Sequence, residues 1–452
     1  MTHWIDQSVF YHIYPLGLCG APKTNDYSRP STPRLESLHP WLEHIAGLGC
    51  NALYIGPLFE SGSHGYDTTD YYRLDRRLGE NAALAGLTAR AHELGIKVIL
   101  DAVFNHVGRD FWAFRDVLAN RQASAYCGWF SGLRFDRDNN CHDGFTYDCW
   151  AGYENLVKLN LSNHEVRSHL FGAVKQWIEQ YDIDGLRLDA ADVMDKTFLS
   201  DLSSFSKSLK PDFWLMGEVV AGDYNQWACP GRLDSVTNYE CYKGLYSSFN
   251  DHNLFEIAWS LNRQFGDQGL YRDLRLYSFA DNHDVSRVAT MLRNPAHLLP
   301  LYALMVSMPG IPSIYYGSEF GIPGEKVGDD SLIRPALDLQ RLTQDHDRNG
   351  LIEPLKRLVN AKKDLHPLKH GGYRQLYLTN EQFAFIRESS QGFTVTAVNA
   401  ADRPAALDLA LPASFGGHLV DVLTPGSRLE VVNGFSRVEL PPNAAVVLTP
   451  IV

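Results

Sequence analysis

Eight short apolar runs separated by helix-forming segments constrain this chain of 452 residues more than any other feature. Residues 10–16, 52–58, 98–104, 185–189, 213–217, 235–238, 276–280 and 311–316 have the length and apolar content of buried strands. Strands that alternate with helices pair in parallel, and eight of them close a (β/α)8 TIM barrel, an α/β fold. The intervening helices are legible too. Ser162 or Asn163 can cap a helix whose Val166, Leu170, Val174, Trp177, Ile178 and Tyr181 recur at spacings of three and four. An Ala/Leu-rich helix over residues 80–94 ends at Gly95. Residues 298–317 are uncharged but interrupted by Pro300, Pro309, Gly310 and Pro312, so they predict a helix leading into a buried strand rather than a membrane span.

Two segments depart from the barrel rhythm. Residues 107–156, rich in Gly, Asp, Asn and aromatics, stand where a barrel connection normally takes about two to six residues. An insertion there predicts a small lid or substrate-binding subdomain at the C-terminal face. After residue 366, short strands at 375–378, 383–387, 393–399, 406–409, 419–423 and 444–450 predict a C-terminal antiparallel β-sandwich over 367–452, acting as a structural buttress. The barrel then comprises 1–106 and 157–366.

A net charge of −12 sets this surface against nucleic acid and anionic membranes, leaving a neutral ligand. The start MTHWIDQSVFYHIYPL lacks the basic-then-apolar pattern and cleavage site of a secretory signal, so a cytoplasmic location is expected. The seven cysteines are odd in number and form no CxxC pair, which reads as free thiols in a reducing compartment, with Cys141–Cys149 as the alternative local pair.

The fourth strand lies in GLRLDAAD, residues 185–192. Alternation puts Arg187 and Asp189 on one face and Leu186 and Leu188 on the other. Such a buried pair is either a structural ion pair or part of a reacting site, and the other strand ends decide between them. Strand two runs into SHGYDTTDYY, with His64, Tyr66 and Asp67; strand three ends in DAVFNH, with Asp101, Asn105 and His106; strand five gives Glu218; strand seven ends in ADNHD, with Asn282, His283 and Asp284. The donor types of His106, Asp189, Glu218 and His283 suit zinc or manganese, but no HExxH is present and Arg187 would repel a cation. Glycoside hydrolysis fits better, because it needs two carboxylates of different acidity. Arg187 is expected to keep Asp189 ionised, while Glu218, which follows apolar residues 213–216, is expected to be raised by desolvation. Tyr66, Trp129, Trp150 and Tyr153 offer flat faces for sugar rings.

DAVFNHVG, GLRLDAAD, GEV and FADNHD, in this order on successive strands, resemble the four signature regions of the α-amylase family of glycoside hydrolases. VKLNLSN, residues 157–163, resembles the fifth region of its cyclomaltodextrinase, neopullulanase and maltogenic amylase group. The resemblance implies Asp189 as nucleophile, Glu218 as acid/base and Asp284 as the third carboxylate. It implies Arg187 as the group orienting Asp189, with His106 and His283 on the sugar at the cleavage subsite and Tyr66 stacked on it, next to Asp67. Asp330 and Arg334 resemble the pair that holds the next sugar toward the non-reducing end. Asp192 departs from the lysine or asparagine usual there, and the N-terminal domain through which that group dimerises is not recognisable, leaving monomer and homodimer both open. Several calcium-binding relatives use the Asn105 position as a ligand, but with the rest of that site absent no essential metal or other cofactor is expected. The implied activity is retaining hydrolysis of α-1,4 bonds in short maltooligosaccharides or cyclodextrins. A transglycosylase, a trehalose synthase-like isomerase or an α-glucosidase would share the same carboxylates, and a non-catalytic sugar-binding relative would have lost them.

Overall fold

The computed structural model describes residues 3–344, 350–413 and 415–451. Eight parallel strands, β1 (Phe10–Ile13), β2 (Ala52–Ile55), β3 (Lys97–Ala102), β4 (Gly185–Leu188), β5 (Trp214–Gly217), β6 (Ser235–Val236), β7 (Tyr277–Phe279) and β8 (Ile311–Tyr315), form one sheet. Their order is β6-β5-β4-β3-β2-β1-β8-β7. The ring closes between β6 and β7 through the bridge Thr237–Tyr277, where Asn238 N–H donates to the Tyr277 carbonyl at 2.8 Å. The barrel expected from the alternation of strands and helices is therefore the fold.

Parity within each strand separates two cores. Tyr11, Ile13, Leu53, Ile55, Val98, Leu100, Leu186 and Leu188 face outward and pack under the helices. Phe10, Ala52, Tyr54, Ile99, Trp214, Met216, Tyr277, Phe279 and Ile311 fill the barrel interior. His12, Asp101 and Arg187 share the interior parity, two residues nearer the C-terminal ends than Phe10, Ile99 and Gly185. The inside of the barrel thus passes from apolar to ionic toward the end where the site lies.

Strand ends fall short of their apolar runs where another backbone rule intervenes. β1 stops at Ile13 because Pro15 opens the helix Pro15–Leu18. The helix His164–Tyr181 begins as expected, with the Asn163 side chain accepting from the Glu165 and Val166 amides. The helix Asn81–Glu93 ends before Gly95, whose φ of +74° permits the turn. The helix Leu298–Ser307 leads into β8, and among the described residues no helix is long and apolar enough to cross a membrane.

Two excursions rise from the C-terminal face. The hairpin Phe59–Ser61/Thr68–Leu74 follows β2 and carries His64, Tyr66 and Asp67 in its turn. After β3 comes a helix, Trp112–Asn120, and a three-stranded antiparallel sheet of His106–Gly108, Tyr153–Lys158 and Cys149–Trp150. That sheet takes in His106, Val157 and Lys158, so its hydrogen bonds overrun both edges of the 107–156 insertion. The seven cysteines are all free thiols, Cys141 and Cys149 included.

The tail is an antiparallel sandwich of a six-stranded and a two-stranded sheet. The pair Ala405–Ala410/Phe435–Leu440 lays Leu407, Leu409, Val438 and Leu440 on Ala384, Ile386, Val395 and Leu448 of the larger sheet. Two fully buried cations bind it to the barrel through carbonyls. Arg387 donates to Gly371 and Ser307 at 2.7–3.0 Å, and Lys362 donates to Gly310 and Leu368 at 2.9 and 2.7 Å. Burial lowers Arg387 to about 9.

Candidate active site

Arg187 is the centre of the site. Its Nη1 donates to Asp101 Oδ1 at 3.0 Å and to Asp189 Oδ1 at 2.9 Å, and its Nη2 pairs with Glu218 Oε2 at 2.9 Å. Asp101 Oδ2 also accepts from the hydroxyls of Tyr54 at 2.7 Å and Tyr66 at 3.0 Å. Asp189 follows β4 with its amide still laddered to Ala102 at 3.1 Å, and the Glu218 amide donates to Leu188 at 2.9 Å. Ala190 sits in the left-handed region, φ +48°, and its amide donates to Glu218 Oε2 at 3.0 Å. Glu218 Oε2 is therefore fixed by two donors, while Oε1 has no protein donor among the described residues.

The electrostatics differ from the expectation that Arg187 lowers Asp189 and keeps it ionised. Burial pushes Asp189 well above the usual carboxylate range; Arg187 opposes this, but it is divided among three carboxylates, and Glu218 adds repulsion. Burial likewise raises Glu218, with Arg187 pulling down and Asp284 pushing up. Asp284 goes the other way: burial is outweighed by His283, Arg334 and Arg187, which hold it well below the usual range. Asp189 and Glu218 thus form a pair in which a proton is readily retained, beside a third carboxylate that stays charged.

Asp284 is held at 3.0 Å by His283 Nε2 on Oδ2 and at 3.0 Å by Arg334 Nη2 on Oδ1. Arg334 also pairs with Asp330 at 3.2 Å, donates through Nε to the His283 carbonyl at 2.8 Å and lies 4.7 Å over the Tyr14 ring. The D-x-x-x-R pair is a wall of the cleft and not a surface ion pair. His283 is sandwiched between Tyr66 and Tyr14, with ring centroids at 5.5 and 6.0 Å, and is hydrogen-bonded to the Tyr66 hydroxyl. His106 is lowered to about 3 by burial, so it is neutral; its Nε2 is buried without a hydrogen-bond partner among the described residues, 3.8 Å from Asp189 Oδ2.

These groups bound a cleft of about 710 Å³ lined by Tyr66, His106, Asp189, Glu218, Asp284, Asp330 and Arg334. Arg187 and His283 stand behind the lining and position it. Asp67 does not line the cleft: its Oδ2 accepts from Ser63 at 2.8 Å, within the hairpin turn that presents Tyr66. Trp150 and Tyr153 line the mouth as a stacked pair at 5.9 Å, whereas Trp129 is buried, donates to Glu165 at 2.9 Å and offers no face. Sequence reasoning missed Tyr239 and Lys326 in the lining, and His12, whose ring stacks on Tyr54 at 4.2 Å. A histidine in the apolar run FYHIY was the available signal for His12.

Asn105 Oδ1 is a buried acceptor without a partner among the described residues, and the cavity at Asn105 is lined by Asp192 and Glu218 as well as by Lys158. Among the described residues no three His, Cys, Asp or Glu are grouped to hold a metal.

Comparison with known proteins places this arrangement. The family described as alpha amylase, catalytic domain, matches residues 34–353. The chain is 30% identical to a cyclomaltodextrinase of Geobacillus thermopakistaniensis (strain MAS1) over 97% of this chain and 76% of that one. It is 30% identical to neopullulanase 2 of Thermoactinomyces vulgaris, over 98% and 78% of the two chains. The ligand-free cyclic alpha-maltosyl-(1→6)-maltose hydrolase from Arthrobacter globiformis superposes with a TM-score of 0.82 at 25% identity, each chain covered 100%. With its barrel, its strand-end carboxylates and these relatives in agreement, the chain belongs to the α-amylase family of glycoside hydrolases, as an enzyme of the cyclomaltodextrinase and neopullulanase kind that acts on α-glucosidic bonds.

Proposed function

We propose that the enzyme is a retaining hydrolase of α-1,4 bonds in short maltooligosaccharides and cyclodextrins. The observation that carries this reading is the single guanidinium shared by Asp189 and Glu218, each 2.9 Å from one of its nitrogens. Two carboxylates within the span of one guanidinium suit the shorter spacing, about 5–5.5 Å, of a double displacement.

Substrate enters with its scissile oxygen at Glu218 Oε1, the oxygen left free by Ala190 and Arg187. The reacting form of the coupled pair is the one with Asp189 ionised against Arg187 and the proton on Glu218, which passes it to the leaving oxygen as Asp189 attacks the anomeric carbon. Glu218, now ionised, takes a proton from water, and that water cleaves the bond to Asp189 and restores the α-configuration. Asp284, charged throughout, and neutral His106 hydrogen-bond sugar hydroxyls, while Tyr66 lies against the ring. The reaction needs no metal in this reading, because Arg187 and Arg334 supply the positive field.

Following maltotriose cleavage by proton NMR from the first minute tests this. Fresh product appearing as the α-anomer supports the reading, and the β-anomer overturns it. Loss of activity after exhaustive EDTA treatment, restored by calcium, would sink the metal-free part.

A further inference from the structure

A second groove of about 760 Å³ adjoins the catalytic cleft, and Val220 and Tyr239 line both. Val220 is two residues past Glu218, so the groove opens from the side where the leaving oxygen is protonated. The amphipathic helix Phe255–Phe265 buries Ile257, Ala258, Leu261 and Phe265 and leaves Trp259 62% exposed inside the groove. An indole this open is informative, because a large aromatic side chain normally buries most of its surface.

The cations around Trp259 are paired. The Arg263 guanidinium lies 5.8 Å from the indole centroid and is bonded to Glu240. Lys243 pairs with Glu256 at 2.7 Å. Glu240 Oε1 is buried without a hydrogen-bond partner among the described residues. Both cations are paired with acids and Asp223 is one acid in excess, so the lining holds no free cation to select an anion, while a flat apolar face beside fixed donors and an unused acceptor suits a neutral polyhydroxylated ring.

We propose that this groove is a distal subsite for the leaving-group portion of a linear α-1,4-glucan, with a glucosyl ring stacked on Trp259 and its hydroxyls on the Arg263–Glu240 pair. The inference rests on the proposed function, since it takes Glu218 as the acid on the leaving-group side. It makes the enzyme sensitive to chain length: glucans long enough to reach Trp259 gain binding that shorter ones cannot.

The test compares kcat/KM for maltoheptaose and maltotriose in the wild type, in Trp259→Ala and in a control, Phe435→Ala, which removes an equally open aromatic (65% exposed) from the tail sandwich. The heptaose-to-triose ratio is expected to fall about tenfold in Trp259→Ala, a typical aromatic contact of about 1.4 kcal/mol, and to stay constant in the control. An unchanged ratio in Trp259→Ala overturns the proposal, as does a constant ratio with an altered sedimentation coefficient, which would make the groove an interface between copies. If the wild type cleaves neither sugar, the proposed function fails by itself. Calorimetric titration with maltoheptaose then decides the groove: a Kd about tenfold weaker in Trp259→Ala supports it, and an equal Kd overturns it.

Discussion

Replacing Arg187 by Met keeps the volume and removes the one cation that Asp101, Asp189 and Glu218 share. Removing one partner of a buried ion pair costs about 3–5 kcal/mol, because a charge is left unpaired. Here the loss is limited by proton uptake. Asp189 and Glu218 are already raised by burial and mutual repulsion, and without Arg187 both rise further. A carboxyl raised in the folded state makes that state bind more protons than the unfolded chain, so stability grows as pH falls toward the unfolded value of about 4. One extra proton changes stability by about 1.4 kcal/mol per pH unit, so between pH 7.5 and 5.5 the deficit of the variant should narrow by about 2.7 kcal/mol. Urea unfolding at half-unit steps measures this as the difference between wild-type and variant midpoints multiplied by the slope. Parallel stability curves for the two proteins over that range would refute the reasoning, because they would mean that Arg187 does not govern protonation of the pair.

Three other perturbations follow from the same geometry. The Asp284 charge helps to raise Glu218, and in the proposed reaction Glu218 must be protonated to act; Asp284→Asn should therefore move the alkaline limb of residual kcat/KM on maltotriose to lower pH, and an unmoved limb would count against this assignment. A Cβ on Gly17 would lie 2.2 Å from the Arg334 carbonyl and 3.0 Å from the Tyr14 ring. Gly17→Ala should cost about 1–3 kcal/mol in denaturant unfolding and raise KM by shifting Arg334, whereas unaltered KM would show that the backbone yields elsewhere. Arg387→Met leaves the Gly371 and Ser307 carbonyls without their buried donor, and a loss of about 2 kcal/mol by calorimetry or urea titration is expected, with kcat/KM for maltotriose intact.

What could be read from the sequence was set by local pattern, and what could not depended on distance along the chain. The strands and Asn163 as a cap were legible because parity, spacing and side-chain chemistry all act within a few residues. Asp189, Glu218 and Asp284 were legible as groups at one mouth because barrel topology places all strand ends there. The partition of Arg187 was not, since the claim of Asp101 on it depends on the register Asp101–Arg187 between β3 and β4, 86 residues apart. Trp129 and Trp150 look alike in sequence, yet one is buried against Glu165 and the other opens onto the cleft, a difference made by the fold of the insertion. The tail strands Arg428–Val431 and Phe435–Leu440 escaped notice because charged residues alternate with their apolar ones, the signature of a sheet wet on one face.

The barrel ring is not equally laced around its circumference. β1 and β2 are joined over four residue pairs, but β6 meets β5 over two and meets β7 through a single bridge. The chain leaving β5 carries Glu218 and Val220, and the chain leaving β6 carries Tyr239, so the Val220 and Tyr239 side of the cleft rests on the loosest stitches of the ring. Local opening there breaks few hydrogen bonds, which predicts early amide exchange at Thr237 and Asn238 while β1 to β3 remain protected. Such a seam concentrates the ring's lowest cost of opening beside Glu218 and Tyr239.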